Sequence, residues 1–514
     1  MENPRFTPSA EELHAAEKLL KTRSFPELER LSEAYIEKIT GKKWNDETVL
    51  EKIRAAVVSQ KDAYWKEGEK RNVSYSGAYS VMSYIAYQMP GYVFEISEFL
   101  VSLISRGLLR KHIRVLDLGA GPGTASAAVI RICSLFPEMS AEICAAERMD
   151  THREAYSYLI PALQKTSKNC TAEKPLSMDI TQKLPDGTFD LIICSNVLNE
   201  LSGDDEAKTE FLISVAKHLT PDGNLLVFEP ADLENAAKLR DITRAAKERG
   251  LTIYAPCNDL RGVPCRVHPC WSFQSYDDIK PTALMEALGS DTEKYRYVNT
   301  DVKFSYAVLR TDGHRRCGYK IPADAKRARL SQIKQHEGKR IHVTVSVMSG
   351  DIGDTKTYLY LVCDGSGTAP CYLALPAFHR TPDHEALLTA PYAGVVAVDS
   401  VLVRWNEKQK AYNLLMGKNS TCRLIAGTPV KKFCPDKAKA VMHAGKHPAK
   451  TGRPKGISGI PKKADGPKKV SGTGKRPEAG KNVRKTKTEY EGKSAGSTNK
   501  EGKSWKRKEL RVKS

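Results

Sequence analysis

In Val115-Leu-Asp-Leu-Gly-Ala-Gly-Pro-Gly-Thr124 a short apolar run ends in an acid and opens at once into three glycines, Gly119, Gly121 and Gly123. Residues 124–135 behind them read as a helix. A strand, glycine loop and helix in this order let the backbone approach a ligand closely and aim unpaired helix N–H groups at it. The Gly-x-Gly-x-Gly spacing differs from the Gly-x-Gly-x-x-Gly of dinucleotide folds. Moving outward, strands at 115–118, 141–146, 191–195, 225–229 and 251–255 alternate with helices such as 206–219 and 233–249. That alternation predicts a mainly parallel sheet with helices on both faces. Residues 220–223, Thr-Pro-Asp-Gly, predict a turn into the fourth strand, and 304–309 predict a late strand at the antiparallel edge.

The glycine stretch resembles motif I of the S-adenosylmethionine-dependent methyltransferases. In a doubly wound sheet, ligand binds at the carboxyl ends of the strands. The cofactor set expected there is Asp117, Gly119, Gly121, Gly123, Glu147, Asp179 and Asn196. The glycine loop would hold the methionine part. Glu147 ends the second strand, where a carboxylate accepts ribose hydroxyl protons. Asp179 stands where the methyltransferase pattern puts an acid near the adenine amine, and Ser195-Asn196 ends a later strand. The segment Ser195-Asn-Val-Leu-Asn-Glu-Leu201 lacks the Pro-Pro-aromatic clamp of many amine methyltransferases. Its Asn196, Asn199 and Glu200 also suit a helix cap, so no catalytic residue is assigned.

Charge divides the chain. The net charge is +20, and residues 431–514 alone hold 26 Lys and Arg against 7 Asp and Glu. With few large apolar residues, this tail predicts disorder and attraction to a phosphate backbone; a merely solubilising tail is the alternative. The remainder is almost neutral. The expected division is a helical N-terminal region (1–110), a Rossmann-like domain with a cysteine loop (111–325), an oligonucleotide-binding (OB)-like β-barrel (335–428) and the Lys-rich tail (431–514). Ser9-Ala-Glu-Glu12 and Ser24-Phe-Pro-Glu27 read as capping boxes. Residues 84–92 form an aromatic-rich break at Pro90, lining a cleft or simply packing helices. No apolar run approaches the roughly 20 residues of a membrane span, and the first residues have no apolar signal core. A cytoplasmic monomer is expected.

Cys133, Cys144 and Cys194 lie in apolar patterns and read as inert core. Cys257, Cys265 and Cys270 instead lie in a loop broken by proline and glycine, where thiolates suit zinc or an iron–sulfur centre. Cys317 ranks first as fourth ligand, then His268 and His314, then Cys363. The absence of Cys-x-x-Cys knuckles favours an iron–sulfur (4Fe-4S) cluster over zinc.

Residues 341–347, 357–363, 371–375, 393–405 and 412–416 read as five strands, with a longer connection after the third, as in an OB barrel. Tyr358 and Tyr360 share one face, either stacking bases outside or filling the barrel. Tyr372, Phe378, Arg380, Trp405 and Tyr412 are further candidate RNA contacts.

Over residues 75–310 the chain resembles the methyltransferase-like proteins that assemble the small ribosomal subunit. The resemblance rests on Tyr84-Ile-Ala-Tyr-Gln-Met-Pro, Leu116-Asp-Leu-Gly-Ala-Gly-Pro-Gly-Thr-Ala-Ser126, Ser195-Asn-Val-Leu-Asn-Glu-Leu201, Glu229-Pro230, Ala255-Pro-Cys257, Pro269-Cys-Trp-Ser-Phe273 and Lys303-Phe-Ser-Tyr306. It implies binding to small-subunit ribosomal RNA or the pre-ribosomal subunit, and a four-cysteine iron–sulfur site of which Cys257, Cys265 and Cys270 match three members. The barrel and basic tail depart from the mitochondrial members. An active rRNA or tRNA methyltransferase is the alternative.

Overall fold

A computed structural model describes residues 3–22, 24–64, 77–276, 279–289 and 296–430. The expected disorder of 431–514 falls outside them.

Helices α1 (Ala10–Lys21), α2 (Pro26–Thr40), α3 (Glu47–Tyr64), α4 (Ala78–Tyr87) and α5 (Met89–Ile104) precede the sheet. The first capping box forms: Glu12 N donates to Ser9 Oγ at 3.1 Å, and Ser9 N donates to Glu12 Oε2 at 2.8 Å. The second does not. Pro26 itself begins α2, where a missing N–H costs nothing, and Ser24 Oγ donates to Glu29 at 3.2 Å. Pro90 likewise falls in the first turn of α5, so it sits at the start of that helix rather than interrupting one.

The α/β core contains β1 (His112–Leu118), α6 (Thr124–Leu135), β2 (Ser140–Glu147), α7 (Asp150–Gln164), β3 (Cys170–Ala172), β4 (Leu176–Ser177), β5 (Phe189–Ser195), α8 (Asp205–Ala216), β6 (Leu219–Pro230), α9 (Leu233–Glu248), β7 (Thr252–Ala255), β8 (Gln274–Tyr276), α10 (Ala283–Leu288) and β9 (Val302–Arg310). Strand order is β3-β2-β1-β5-β6-β9-β7, with β4 beside β2 and β8 beside β9. Strands β1, β2, β5 and β6 are parallel, whereas β9 is antiparallel to both β6 and β7. β9 is therefore inserted between two strands rather than placed at the edge. Its side chains are buried from Phe304 to Arg310 on both faces, which an edge could not provide. Residues 220–223 are drawn into β6, and the register with β5 shifts between Phe189 and Leu191. Alternation along β1 sends Val115 to the core under α5–α7 and Leu116 and Leu118 to the core under α8 and α9.

The barrel consists of β10 (Arg340–Val347), β11 (Thr357–Cys363), β12 (Cys371–Pro376), the short helix α11 (Glu385–Leu388), β13 (Val395–Asn406), β14 (Ala411–Leu415) and β15 (Thr421–Ala426). The path β10-β11-β12-β14-β13 closes on itself because β13 also pairs with β10. β15 adds to β13 and was not expected, being short and nowhere fully buried. Tyr358 and Tyr360 are 0% and 1% exposed and pack with Val343, Leu373 and Val398. They fill the barrel and cannot stack bases on its outside. Among the described residues no helix is long and apolar enough to cross a membrane.

Candidate methyl-donor pocket and thiol cavity

At the carboxyl ends of β1, β2, β5 and β6 lies a cavity of about 90 Å³, lined by Gly119, Gly121, Glu147, Ser195, Asn196 and Pro230, among others. The loop needs its glycines for different reasons. All three have left-handed φ. A Cβ on Gly123 would come within 2.4 Å of Ile160, and one on Gly119 within 2.9 Å of Val197, so these two serve close packing. Gly121 N donates to Glu147 Oε2 at 2.9 Å, while Met149 N donates to Oε1 at 2.7 Å. Each Glu147 oxygen keeps a lone pair for a ligand hydroxyl.

The other expected residues take separate roles. Asp117 is buried and accepts from Ser126 N (2.9 Å) and Ser126 Oγ (2.7 Å). Burial pushes its carboxyl up to about 6, against those two bonds. It braces the start of α6 from beneath and does not line the cavity. Asp179 lies two residues past β4 and accepts from Thr181 Oγ1 at 2.7 Å and N at 3.0 Å, which hold its carboxyl low. It too stands outside the lining. Asn196 lines the cavity with φ +57°, and its N–H donates to Phe228 O at 2.8 Å.

Sequence reasoning missed Glu229 as an organiser. It ends the buried run of β6 and accepts from Leu198 N (2.9 Å) and Asn199 N (3.0 Å). Burial pushes its carboxyl up to about 8, opposed by those amides. The acid just before Pro230 was the available signal. Tyr84, Gln88 and Tyr92, from the aromatic break, form the facing wall with His152. Burial lowers the pKa of His152, favouring the neutral ring. No residue lining this cavity is a cysteine.

A second cavity, of about 260 Å³, opens between α9, the loop after β7 and the barrel. Its walls include Cys257, Cys265, Cys270 and, from the end of β11, Cys363. Cys317, ranked first as fourth ligand, packs elsewhere with Leu260 and Ile321. The loop is clamped to the barrel. Asn258 Nδ2 donates to Ser346 Oγ (2.9 Å) and Ala393 O (2.7 Å), Arg266 N donates to Gly367 O (3.2 Å), and the buried Arg261 meets Asp364 at 3.4 Å. A hydrogen bond with Cys363 holds the Cys265 thiol low, whereas burial pushes Cys270 up to about 11. Arg240 is 1% exposed. Its Nη2 donates to Ser305 Oγ and Tyr306 O, while Nε and Nη1 find no acceptor. Among the described residues, no three His, Cys, Asp or Glu groups already stand close enough to hold one ion.

Residues 87–261 match a methyltransferase-domain family, and residues 331–425 match the C-terminal domain of a domain of unknown function (DUF8157). No curated protein matches. Among solved structures, the mitomycin 7-O-methyltransferase MmcR is 23% identical, with a TM-score of 0.22 over 28% of this chain and 45% of its own. The chain thus spans less than half of that protein. An S-adenosylmethionine-dependent methyltransferase from Clostridium acetobutylicum is 13% identical over 43% and 92% of the two chains (TM-score 0.27). The N-methyltransferase NodS from Bradyrhizobium japonicum is 16% identical over 46% and 97% (TM-score 0.27). The chain carries an S-adenosylmethionine-dependent methyltransferase-like domain of Rossmann-like fold, followed by a closed β-barrel that matches a family of unknown function.

Proposed function

We propose that this chain binds S-adenosylmethionine in the Gly121–Glu147 pocket and acts on small-subunit ribosomal RNA during ribosome assembly or translation. The observation that carries the reading is the union, in one chain, of a donor-type pocket, a closed OB-like barrel and a segment of net charge +19. Positive charge supplies sequence-independent affinity for phosphate, and the folded domains choose the site.

A thiol-held metal centre belongs to the same reading, with Cys257, Cys265, Cys270 and Cys363 as its ligands. The two acceptor-less nitrogens of buried Arg240 suit an anionic occupant, as a thiolate-ligated cluster is. Four sulfurs around a single zinc would each stand about 2.3 Å from it. The absence of Cys-x-x-Cys knuckles among these ligands favours an iron–sulfur cluster over zinc. Bound there, it would cross-link loop and barrel.

The test is crosslinking of the intact protein to cellular RNA, followed by sequencing. Enrichment of small-subunit rRNA is expected; recovery of RNA in proportion to abundance would defeat the reading. One observation favours active methyl transfer to rRNA or tRNA: Gln88 Oε1 is buried in the donor pocket with no partner, as an acceptor-binding group would be. Loss of a methyl mark from rRNA or tRNA in a deletion strain would decide for that activity.

A further inference from the structure

In the Pro269-Cys-Trp-Ser-Phe273 segment only Cys270 has been given a role, yet the segment runs between the two cavities. Cys270 lines the thiol cavity. Trp271 Nε1 donates to Ala231 O at 2.6 Å, and the preceding Pro230 lines the donor pocket. Ser272 is fully buried, and its carbonyl accepts from Ser305 Oγ at 3.1 Å. Ser305 in turn accepts from Arg240, so the backbone here is held firmly. Gln274 then begins β8 opposite Phe304, which itself pairs with Pro230. These links lay residues 271–273 across the carboxyl end of β6, beside the mouth of the donor pocket.

A side chain so fixed would ordinarily be covered, but Trp271 is 42% exposed. Its one polar atom is already spent on Ala231, so it offers an apolar ring face. Phe273 lies beside it, with ring centroids 5.5 Å apart and planes at 38°. Leu233, two residues past Ala231, is 45% exposed as well. A rigid aromatic lip of this kind binds planar partners at small entropic cost.

We propose that Trp271, with Phe273, is the platform on which a nucleobase of single-stranded RNA stacks, positioning the strand beside the donor pocket. The inference rests on the reading above that the Gly121–Glu147 pocket holds the methyl donor. A base matches both halves of the site. Its face suits the exposed indole, and its polar edge suits a pocket walled in part by Gln88, Asn196 and Asn199. An aliphatic peptide side chain would cover the lip and leave Gln88 unmatched. Because Cys270 precedes Trp271 directly, an occupied thiol centre would also steady the platform.

The experiment uses the intact chain and its Trp271→Ala, Trp271→Leu and Trp271→Phe variants. The probe is a short mixed-sequence single-stranded RNA carrying 4-thiouridine, presented with S-adenosylhomocysteine at salt high enough to suppress tail binding. Photocrosslinks are expected at residues 271–273. Their yield should fall at least about fivefold in the Ala and Leu variants and be largely retained in Phe, since only an aromatic face stacks. Equal yields in Leu and Phe, or crosslinks confined to other segments, would overturn the platform. So would loss of apolar-peptide binding in Trp271→Ala with RNA contacts unchanged, which would mark a protein-docking lip. Calorimetry with S-adenosylhomocysteine on the same samples separates the two claims. Crosslinks at 271–273 without cofactor binding would sink the donor reading and spare the platform; cofactor binding without such crosslinks would do the reverse.

Discussion

The donor pocket takes its walls from residues 84–230, within the methyltransferase-like domain, whereas the thiol cavity also draws Ser346, Met348, Cys363 and Gly365 from the barrel. The first is organised by neighbours in sequence and register: Gly121 and Met149 grip Glu147, and Leu198 and Asn199 grip Glu229. The second exists only because a loop docks on another domain through Asn258, Arg261 and Arg266. One can be perturbed locally, while the other depends on domain docking.

The sharpest break in that contrast comes from Asp364→Ala. It leaves Arg261 buried without its carboxylate partner, and the expected loss is about 3–5 kcal/mol in chemical unfolding. Cofactor affinity of the folded fraction should be unchanged; an equal loss of both would merge the two regions into one. Next in size is Glu147→Gln. Charge-assisted hydrogen bonds contribute about 1.5–3 kcal/mol, so S-adenosylhomocysteine affinity should fall about 10- to 100-fold by calorimetry, with metal content unaffected. Cys363→Ser should lose most of the iron bound after anaerobic reconstitution, whereas Cys317→Ser should keep it, as read by metal analysis and absorbance. The reverse pattern would return the fourth ligand to Cys317.

A pH slope sharpens the contrast further. Burial raises Glu229 from 4.5 to about 8, so the native state holds its proton more tightly than the unfolded chain does. Stability from this group is complete below about 4.5 and drains away as pH rises toward 8. Glu229→Gln should flatten the fall in unfolding midpoint across that window. An unchanged slope would mean that Glu229 is ionised in the native state.

What could be read from sequence follows the same division. The glycine loop and the alternating strands are legible because each signal lies within a short stretch of sequence, and Glu147 is legible as the acid that ends β2. The place of β9 is not, since an apolar run buried on both faces carries no sign of being central or at an edge. Tyr358 and Tyr360 could be assigned to one face but not to the inner one, because period two fixes sameness, not direction. β15 gave no signal, being half-exposed along its length. Cys363 ranked last among the possible ligands because only barrel docking brings it to the loop, whereas Cys317, nearer in sequence, does not line the cavity. Asp117 and Asp179 stand near the ends of β1 and β4 but outside the pocket lining, each with one carboxylate oxygen taken by a local partner, Ser126 or Thr181.

The central claim is that the pocket around Gly121 and Glu147 receives a methyl donor. Its most direct test is calorimetric titration of S-adenosylhomocysteine into the intact, folded protein. The account predicts saturable heat at one site per chain, competed by S-adenosylmethionine. Absence of heat from protein that remains folded through the titration would contradict it.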